Sequence, residues 1–162
     1  MRNRKTGITD RFDAHHGPVT GISFHLAKGN VDFSDLFLTS STDWTVKLWN
    51  RKTLKCLNSF EDATDYVNDV KWCPSHPALF ATADSSGWVS TWNLNEQLEV
   101  PIVKTQLSNK AINKLSWSPD GQKILVGDSN GQLIVAECGD WTTAKQDEWH
   151  NMDHTISNFS KK

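Results

Sequence analysis

The sequence predicts an all-β fold: a partial β-propeller of about three four-stranded antiparallel blades in an open arc. Three observations lead there. A short aliphatic–aromatic pattern recurs three times, a second aromatic anchor recurs downstream at nearly the same interval, and short polar turns precede the downstream anchors. The recurring openings are VTGISFH (Val19–His25), VNDVKWCP (Val67–Pro74) and INKLSWSP (Ile112–Pro119). Each sets an aliphatic residue, a second three further on and an aromatic two beyond that: Val19, Ile22, Phe24; Val67, Val70, Trp72; Ile112, Leu115, Trp117. The last pair of each set has the two-residue period of a strand with one buried face. The aromatic members lie 48 and then 45 residues apart; the downstream anchors Trp49 and Trp92 lie 43 apart, and Ala136 holds the matching place 44 further on. A period of about 40–45 residues with four short strands is that of a propeller blade.

The remaining elements follow in order. Between the anchors lie LFLTSS (Leu36–Ser41), LFATAD (Leu79–Asp84) and KILVGD (Lys123–Asp128), each a strand candidate. Polar turns follow at Thr42–Asp43, Ser85–Gly87 and Ser129–Gly131, where Asp, Asn and Gly accept the left-handed backbone that hairpins need. The segments around Leu54–Phe60 and Glu99–Leu107 supply outer strands, with polar residues suited to an exposed edge. The first unit carries an insertion, AKGNVDFSD (Ala27–Asp35), read as a longer surface loop, where the third has a tight SPDG turn. The blades fall at about 8–60, 61–107 and 108–138, within a region 1–138. Residues 139–162 form a tail that breaks the pattern, for which a short helix and a closing strand both fit.

Composition narrows the function. The net charge is -2 from 17 basic and 19 acidic residues, which argues against a nucleic-acid surface. Arg2, Arg4, Lys5, Lys161 and Lys162 are too few to alter that and read as solvated ends. No stretch reaches the roughly 20 apolar residues of a membrane span, and no signal peptide precedes the first strand, so cytosolic synthesis is expected. Cys56, Cys73 and Cys138 are few, odd in number and far apart, as free thiols of a reducing compartment would be. His150 and His154 share a helical spacing but lack the carboxylate or cysteine of a zinc motif, while His25 and His76 read as ordinary turn or edge residues. No phosphate-binding glycine loop occurs, and no metal or cofactor is expected.

Eight tryptophans against one tyrosine make the anchors worth a closer look. In AHHGPVTGISF, His15 lies four residues before Val19; Ser41, Asp43 and Trp49 follow in the same unit. A carboxylate orienting an imidazole, a bridging hydroxyl and an indole N–H donor make a plausible buried network, with Ser40 an alternative to Ser41 for the hydroxyl. These positions resemble the structural tetrad of the WD-repeat family. The same Ser, His and Asp invite a hydrolase reading, but no G-x-S-x-G elbow is present and a tryptophan partner suits packing better. Ala63 and Ser108 replace the histidine in the other two units, and Ser86 and Asn130 the aspartate, so those blades are expected to rest mainly on apolar packing.

A narrower resemblance covers about Gly7 to Trp149. The runs FEDATDYVNDV (Phe60–Val70), HPALFA (His76–Ala81), WNLNEQLEVP, VGDSNGQLIV and the tail's DEW are similar to the C-terminal repeats of cytoplasmic dynein intermediate chains. Axonemal intermediate chains share this wording less closely. The resemblance implies a non-enzymatic scaffold in the cytoplasm, associated with microtubules through the dynein complex and docked on the tail of the dynein heavy chain. The family's N-terminal region, which binds light chains and dynactin, is absent here, so those partners are not carried over. The alternative is a generic WD-repeat adaptor, such as a substrate receptor in a ligase. Trp44, Asp62, Asp65 and Tyr66, in turns at the same end of the blades as Asp43, are the candidate partner surface; Trp88, inside a strand, is expected to pack between blades.

Three repeats cannot close a propeller of 4–8 blades. Ile8–Phe12 read as an outer strand of a preceding blade, and the third unit lacks one. A fragment of a longer protein, a truncated paralogue and two copies completing one another all fit. An open arc would expose the apolar faces of its terminal blades.

Overall fold

A computed structural model describes residues 7–8 and 10–159. The basic residues Arg2, Arg4, Lys5, Lys161 and Lys162 lie outside the described residues. Eleven strands are described: β1 (Val19–Phe24), β2 (Leu36–Ser41), β3 (Val46–Asn50), β4 (Lys55–Phe60), β5 (Val67–Trp72), β6 (Leu79–Asp84), β7 (Trp88–Asn93), β8 (Val103–Gln106), β9 (Ile112–Trp117), β10 (Lys123–Asp128) and β11 (Leu133–Glu137). A short 3-10 turn (Asp140–Thr142) and one helix, α1 (Glu148–Phe159), follow.

The strands form three separate antiparallel meanders: β1-β2-β3-β4, β5-β6-β7-β8 and the three-stranded β9-β10-β11. The arc is open. The segment through Phe12 forms no strand among the described residues: no strand pairs with it, and without a ladder its backbone has no reason to extend. Phe12 instead caps the first blade, edge-on to Phe37 at 5.1 Å and to Trp49 at 5.5 Å.

Alternation within each strand decides what meets between blades. Leu36, Leu38, Val46 and Leu48 of the first blade join Val67, Val70 and Trp72 of the second in one buried cluster. Ala81, Ala83 and Val89 on the far face of the second blade join Ile112, Leu115, Ile124 and Val126 of the third in another. Polar contacts fix the register between sheets. The Thr20 hydroxyl donates to the Val67 carbonyl at 2.5 Å, and the Asn68 amide donates to the Ile112 carbonyl at 2.9 Å. The fully buried Asp69 carboxylate accepts the Leu115 amide at 3.1 Å from the third blade. It also crowds the first: a Cβ on Gly21 would lie 2.7 Å from Asp69 Oδ1, so the close approach of β1 and β5 needs glycine there.

The tail resolves as a helix. Met152 and Phe159 bury one side of α1 in the core shared by the first two blades, and Trp149 stacks on Phe33 with ring centroids 6.1 Å apart. Asn95 fastens its start, donating to the Glu148 carbonyl at 3.0 Å and carboxylate at 2.6 Å. The 27–35 insertion is therefore only partly a surface loop: Ala27 and Phe33 are buried, and a side chain on Gly29 would collide with Trp149. His25 and His76 are likewise buried rather than peripheral. His25 Nε2 donates to the Pro77 carbonyl at 2.8 Å, and His76 Nε2 lies 3.8 Å from the Glu148 carboxylate. Burial pushes both imidazoles below the usual histidine range. His150 and His154 both lie on α1 and are exposed; among the described residues no group of three or more His, Cys, Asp or Glu side chains is placed to hold a metal ion. No described helix is long and apolar enough to cross a membrane.

Candidate functional site

Two features of the first blade carry the chemistry foreseen in the sequence: a polar network on its outward face and the loops at one end of the sheet. The loop before β1 and the β2–β3 turn meet because Val19 pairs with Ser41 in the ladder. That register brings His15 to Asp43, Nδ1 to Oδ2, at 2.9 Å, and the His16 amide to the same oxygen at 2.9 Å. The Thr45 amide and hydroxyl donate to Asp43 Oδ1 at 3.0 and 2.7 Å.

The bridging hydroxyl belongs to Thr39, not to Ser41 or Ser40. Thr39 Oγ1 lies 2.7 Å from His15 Nε2 and accepts the Trp49 indole N–H at 2.8 Å. Strand register explains the correction. Thr39 pairs with Lys47, which puts Trp49 on the diagonal, two residues along and on the same face, within reach of an indole. Ser41 lies one further step away, and Ser40 points to the opposite face. Ser41 serves the turn instead, its Oγ accepting the Asp43 amide at 3.1 Å. With the proton on Nδ1, the network runs in one direction: Trp49 donates to Thr39, Thr39 to His15, and His15 to Asp43. Burial alone would raise the Asp43 pKa, but the hydrogen bonds from Thr45, His15 and His16 outweigh it and hold the carboxyl well below the usual range.

The order hydroxyl, imidazole, carboxylate is that of a catalytic triad, and the distances are short enough. Thr39 is nonetheless only 7% exposed, and its oxygen already accepts the Trp49 N–H beneath Phe12. A substrate carbonyl has no approach to it.

The other blades use different turn chemistry. Asp84 and Asp128 occupy the place of Ser41. Asp84 Oδ1 accepts the amides of Ser86 and Trp88, and Asp128 Oδ1 those of Asn130 and Gln132. Ser108, at the histidine position, donates to Asp128 at 2.7 Å. Apolar packing is thus supplemented by carboxylates set two residues earlier than expected. The acidic residue at the end of LFATAD and of KILVGD was the signal for it.

The candidate partner residues are not equivalent. Trp44 and Tyr66 are about half exposed. Trp44 has φ +69°, the left-handed region, where the matching positions of the other two turns hold Gly87 at +84° and Gly131 at +80°. A bulky residue in that conformation costs about 1–2 kcal/mol. Asp62 pairs with Lys104 at 2.8 Å, and the Lys104 ammonium also lies 6.0 Å over the Trp88 ring. Trp88 is half-buried beneath that cation. Asp65 accepts the Ser86 hydroxyl at 2.8 Å and the Tyr66 amide at 2.7 Å. Both aspartates therefore brace the second blade. The Thr20–Val67 bond sets the starts of β1 and β5 side by side, so the loops carrying Trp44 and Tyr66 open at one end of the blades, although no hydrogen bond or ring contact joins Trp44 to Asp62, Asp65 or Tyr66 among the described residues.

Residues 7–50 match a family model described as WD domain, G-beta repeat, and residues 70–158 match one described as the anaphase-promoting complex subunit 4 WD40 domain. The chain belongs to the WD40-repeat family. It is also 44% identical over 155 residues to the cytoplasmic dynein 1 intermediate chain of Drosophila melanogaster, a match covering 94% of this chain and 23% of that protein. This WD40 chain thus spans about a quarter of the length of the relative it matches. The resemblance read from FEDATDYVNDV and HPALFA holds along nearly the whole chain.

Proposed function

We propose that this WD40 chain is a non-catalytic scaffold of the cytoplasmic dynein complex, associated with microtubules and docking on the dynein heavy chain. The observation that carries this reading is the 44% identity sustained over 155 residues, 94% of this chain. The buried position of the first-blade network supports a structural rather than catalytic use of His15, Asp43 and Thr39. Of the four candidate surface residues, Trp44 and Tyr66 are the contact residues and Asp62 and Asp65 their braces. A half-exposed tryptophan held in a costly backbone conformation is well suited to be a partner anchor, since no hydrogen bond or ring contact engages its side chain among the described residues. Blades 8–60, 61–107 and 108–138 act as one platform, with α1 of the tail fastening the first two.

The test is affinity purification of the tagged chain from cytosol, with mass spectrometry of what co-purifies. Dynein heavy chain in stoichiometric amount is the expected result. A heavy-chain-free preparation would refute the reading. Recovery of another assembly in its place would favour a general WD40 adaptor, in line with the second family model over residues 70–158.

A further inference from the structure

The second blade packs against the first on one side and against the third on the other, and the two interfaces are not filled alike. Strand register fixes which positions correspond. Val46 and Val89 each lie three residues before their anchors, Trp49 and Trp92. Val46 opposes Phe60 and Val89 opposes Thr105, so Thr105 stands where Phe60 does. Leu48 and Thr91 immediately precede the same anchors, and they oppose Leu38 and Ala81 respectively. Across the interface, Phe80 opposes Trp92 in the second blade, and Ile124 opposes Ala136 in the third. Four positions thus change from Leu48, Phe60, Phe80 and Trp92 at the first interface to Thr91, Thr105, Ile124 and Ala136 at the second.

Every one of those changes removes volume. At the first interface Phe60 lies edge-on to Phe80 and to Trp92, each at 5.1 Å, and Phe80 stacks on Trp92 at 5.9 Å. Leu48 and all three rings are buried. At the second interface the four smaller residues line a cleft of about 360 Å³. Packed interiors hold few voids larger than a water, whereas this cleft has the size of a small-molecule pocket. Its walls come from the second and third blades and from Trp141 in the turn that follows, so it lies within the arc and on neither end of it. The lining is apolar with one polar group set deep in it. Thr91 is only 3% exposed, and its hydroxyl makes no hydrogen bond among the described residues. Glu137, the charged member of the lining, is exposed and lies 3.5 Å from Lys123.

We propose that this cleft binds a small, flat, uncharged aromatic molecule carrying one hydrogen-bonding group. Its ring takes the space that aromatic side chains fill at the first interface, between Ile124 and Ala136 on one wall and Thr91 and Thr105 on the other. Its polar atom pairs with the Thr91 hydroxyl. Burial of the ring supplies the affinity, and the hydroxyl sets the orientation. A charged ligand does not fit, because the deep part of the cleft offers no opposite charge and burying an unpaired one is costly. The cleft shares no residue with the Trp44 and Tyr66 surface, and its occupancy is independent of dynein binding.

The test is calorimetric titration of the purified full-length protein with indole, whose N–H can donate to Thr91, and with indene, which has the same shape without that N–H. Saturable binding of both is expected, with indole the tighter. Thr91→Val keeps the shape of the side chain and should weaken indole about fivefold while leaving indene within about twofold. Ala136→Trp supplies the residue that the second blade carries as Trp92, and should weaken both probes at least about tenfold by filling the cleft. Should Ala136→Trp not fold, the split between indole and indene in Thr91→Val decides the matter. No saturable binding of indole up to its solubility limit would overturn the proposal and leave the cleft to a protein side chain. Undiminished indole binding by a folded Ala136→Trp, or a Thr91→Val variant in which indole and indene change equally, would overturn it as well.

Discussion

In the first blade Trp49 donates its indole N–H to Thr39, whereas in the second Trp92, at the same place on its strand, makes no hydrogen bond through its indole nitrogen. Both rings stack on the phenylalanine opposite, Trp49 on Phe37 at 6.2 Å and Trp92 on Phe80 at 5.9 Å. Tryptophan thus serves both blades by its apolar bulk, and the polar network is an addition made in the first. The surroundings explain the difference. The second blade is held between two neighbours, and Phe60 and Trp72 close over its aromatic pair. On the outward face of the first blade no further sheet packs among the described residues, and that face is ordered by its own network and by Phe12.

The sharpest way to break this comparison is at the two matching threonines. Thr39→Val leaves the buried Trp49 N–H and His15 Nε2 without partners and should cost about 3 kcal/mol, measured by urea unfolding. Thr82→Val, at the matching position, should cost no more than about 1 kcal/mol, because Trp92 does not use that hydroxyl and only its long bond to the Ser90 carbonyl, 3.4 Å, is lost. Equal losses would end the distinction between the blades.

Next in size is Asp43→Asn, which should cost about 2 kcal/mol at neutral pH through its weakened charge-assisted hydrogen bonds. It also carries a pH signature. Because the folded pKa of Asp43 is depressed, its stabilisation is fully present above the ordinary carboxylate value of 3.8 and is lost as pH falls below it. Asp84 has the opposite sign. Burial raises its pKa, so its contribution is greatest below 3.8 and is lost as pH rises through its folded value. Unfolding curves at successive pH values should therefore show a flatter acid limb in Asp43→Asn and a steeper one in Asp84→Asn. Smaller again is Ser41→Ala, at about 1 kcal/mol for one turn hydrogen bond. Were Ser41→Ala to exceed Thr39→Val, the hydroxyl assignment would be reversed.

Much of this molecule was legible in its sequence, for identifiable reasons. The period of the aliphatic–aromatic openings yields the three sheets because a propeller blade cannot bury its faces alone, so the same pattern must recur. The missing outer strand of the third blade followed from the same alignment. The hydroxyl of the tetrad is not legible in the sequence because Thr39 and Ser41 share a strand face, and only register distinguishes which one an indole can reach. The tail could not be resolved from residues 139–162 alone, because α1 is fixed by partners far away in the chain, Phe33 and Asn95 among them. Asp62 and Asp65 read in the sequence as part of a partner surface for a related reason: the residues they brace, Lys104 and Ser86, lie 42 and 21 residues downstream.

Trp44→Gly isolates the functional claim from the structural one. Glycine is at ease at φ +69°, so the variant should be as stable as the parent or more stable by up to about 1 kcal/mol. The measurement that bears most directly on the proposed scaffold role is the affinity of a purified dynein heavy-chain tail for the parent chain and for this variant. Measurable binding by the parent is expected, with at least a tenfold loss in a variant that melts no lower. Equal binding by both would remove Trp44 from the docking surface, and a parent chain that does not bind the tail at all would contradict the proposed function itself.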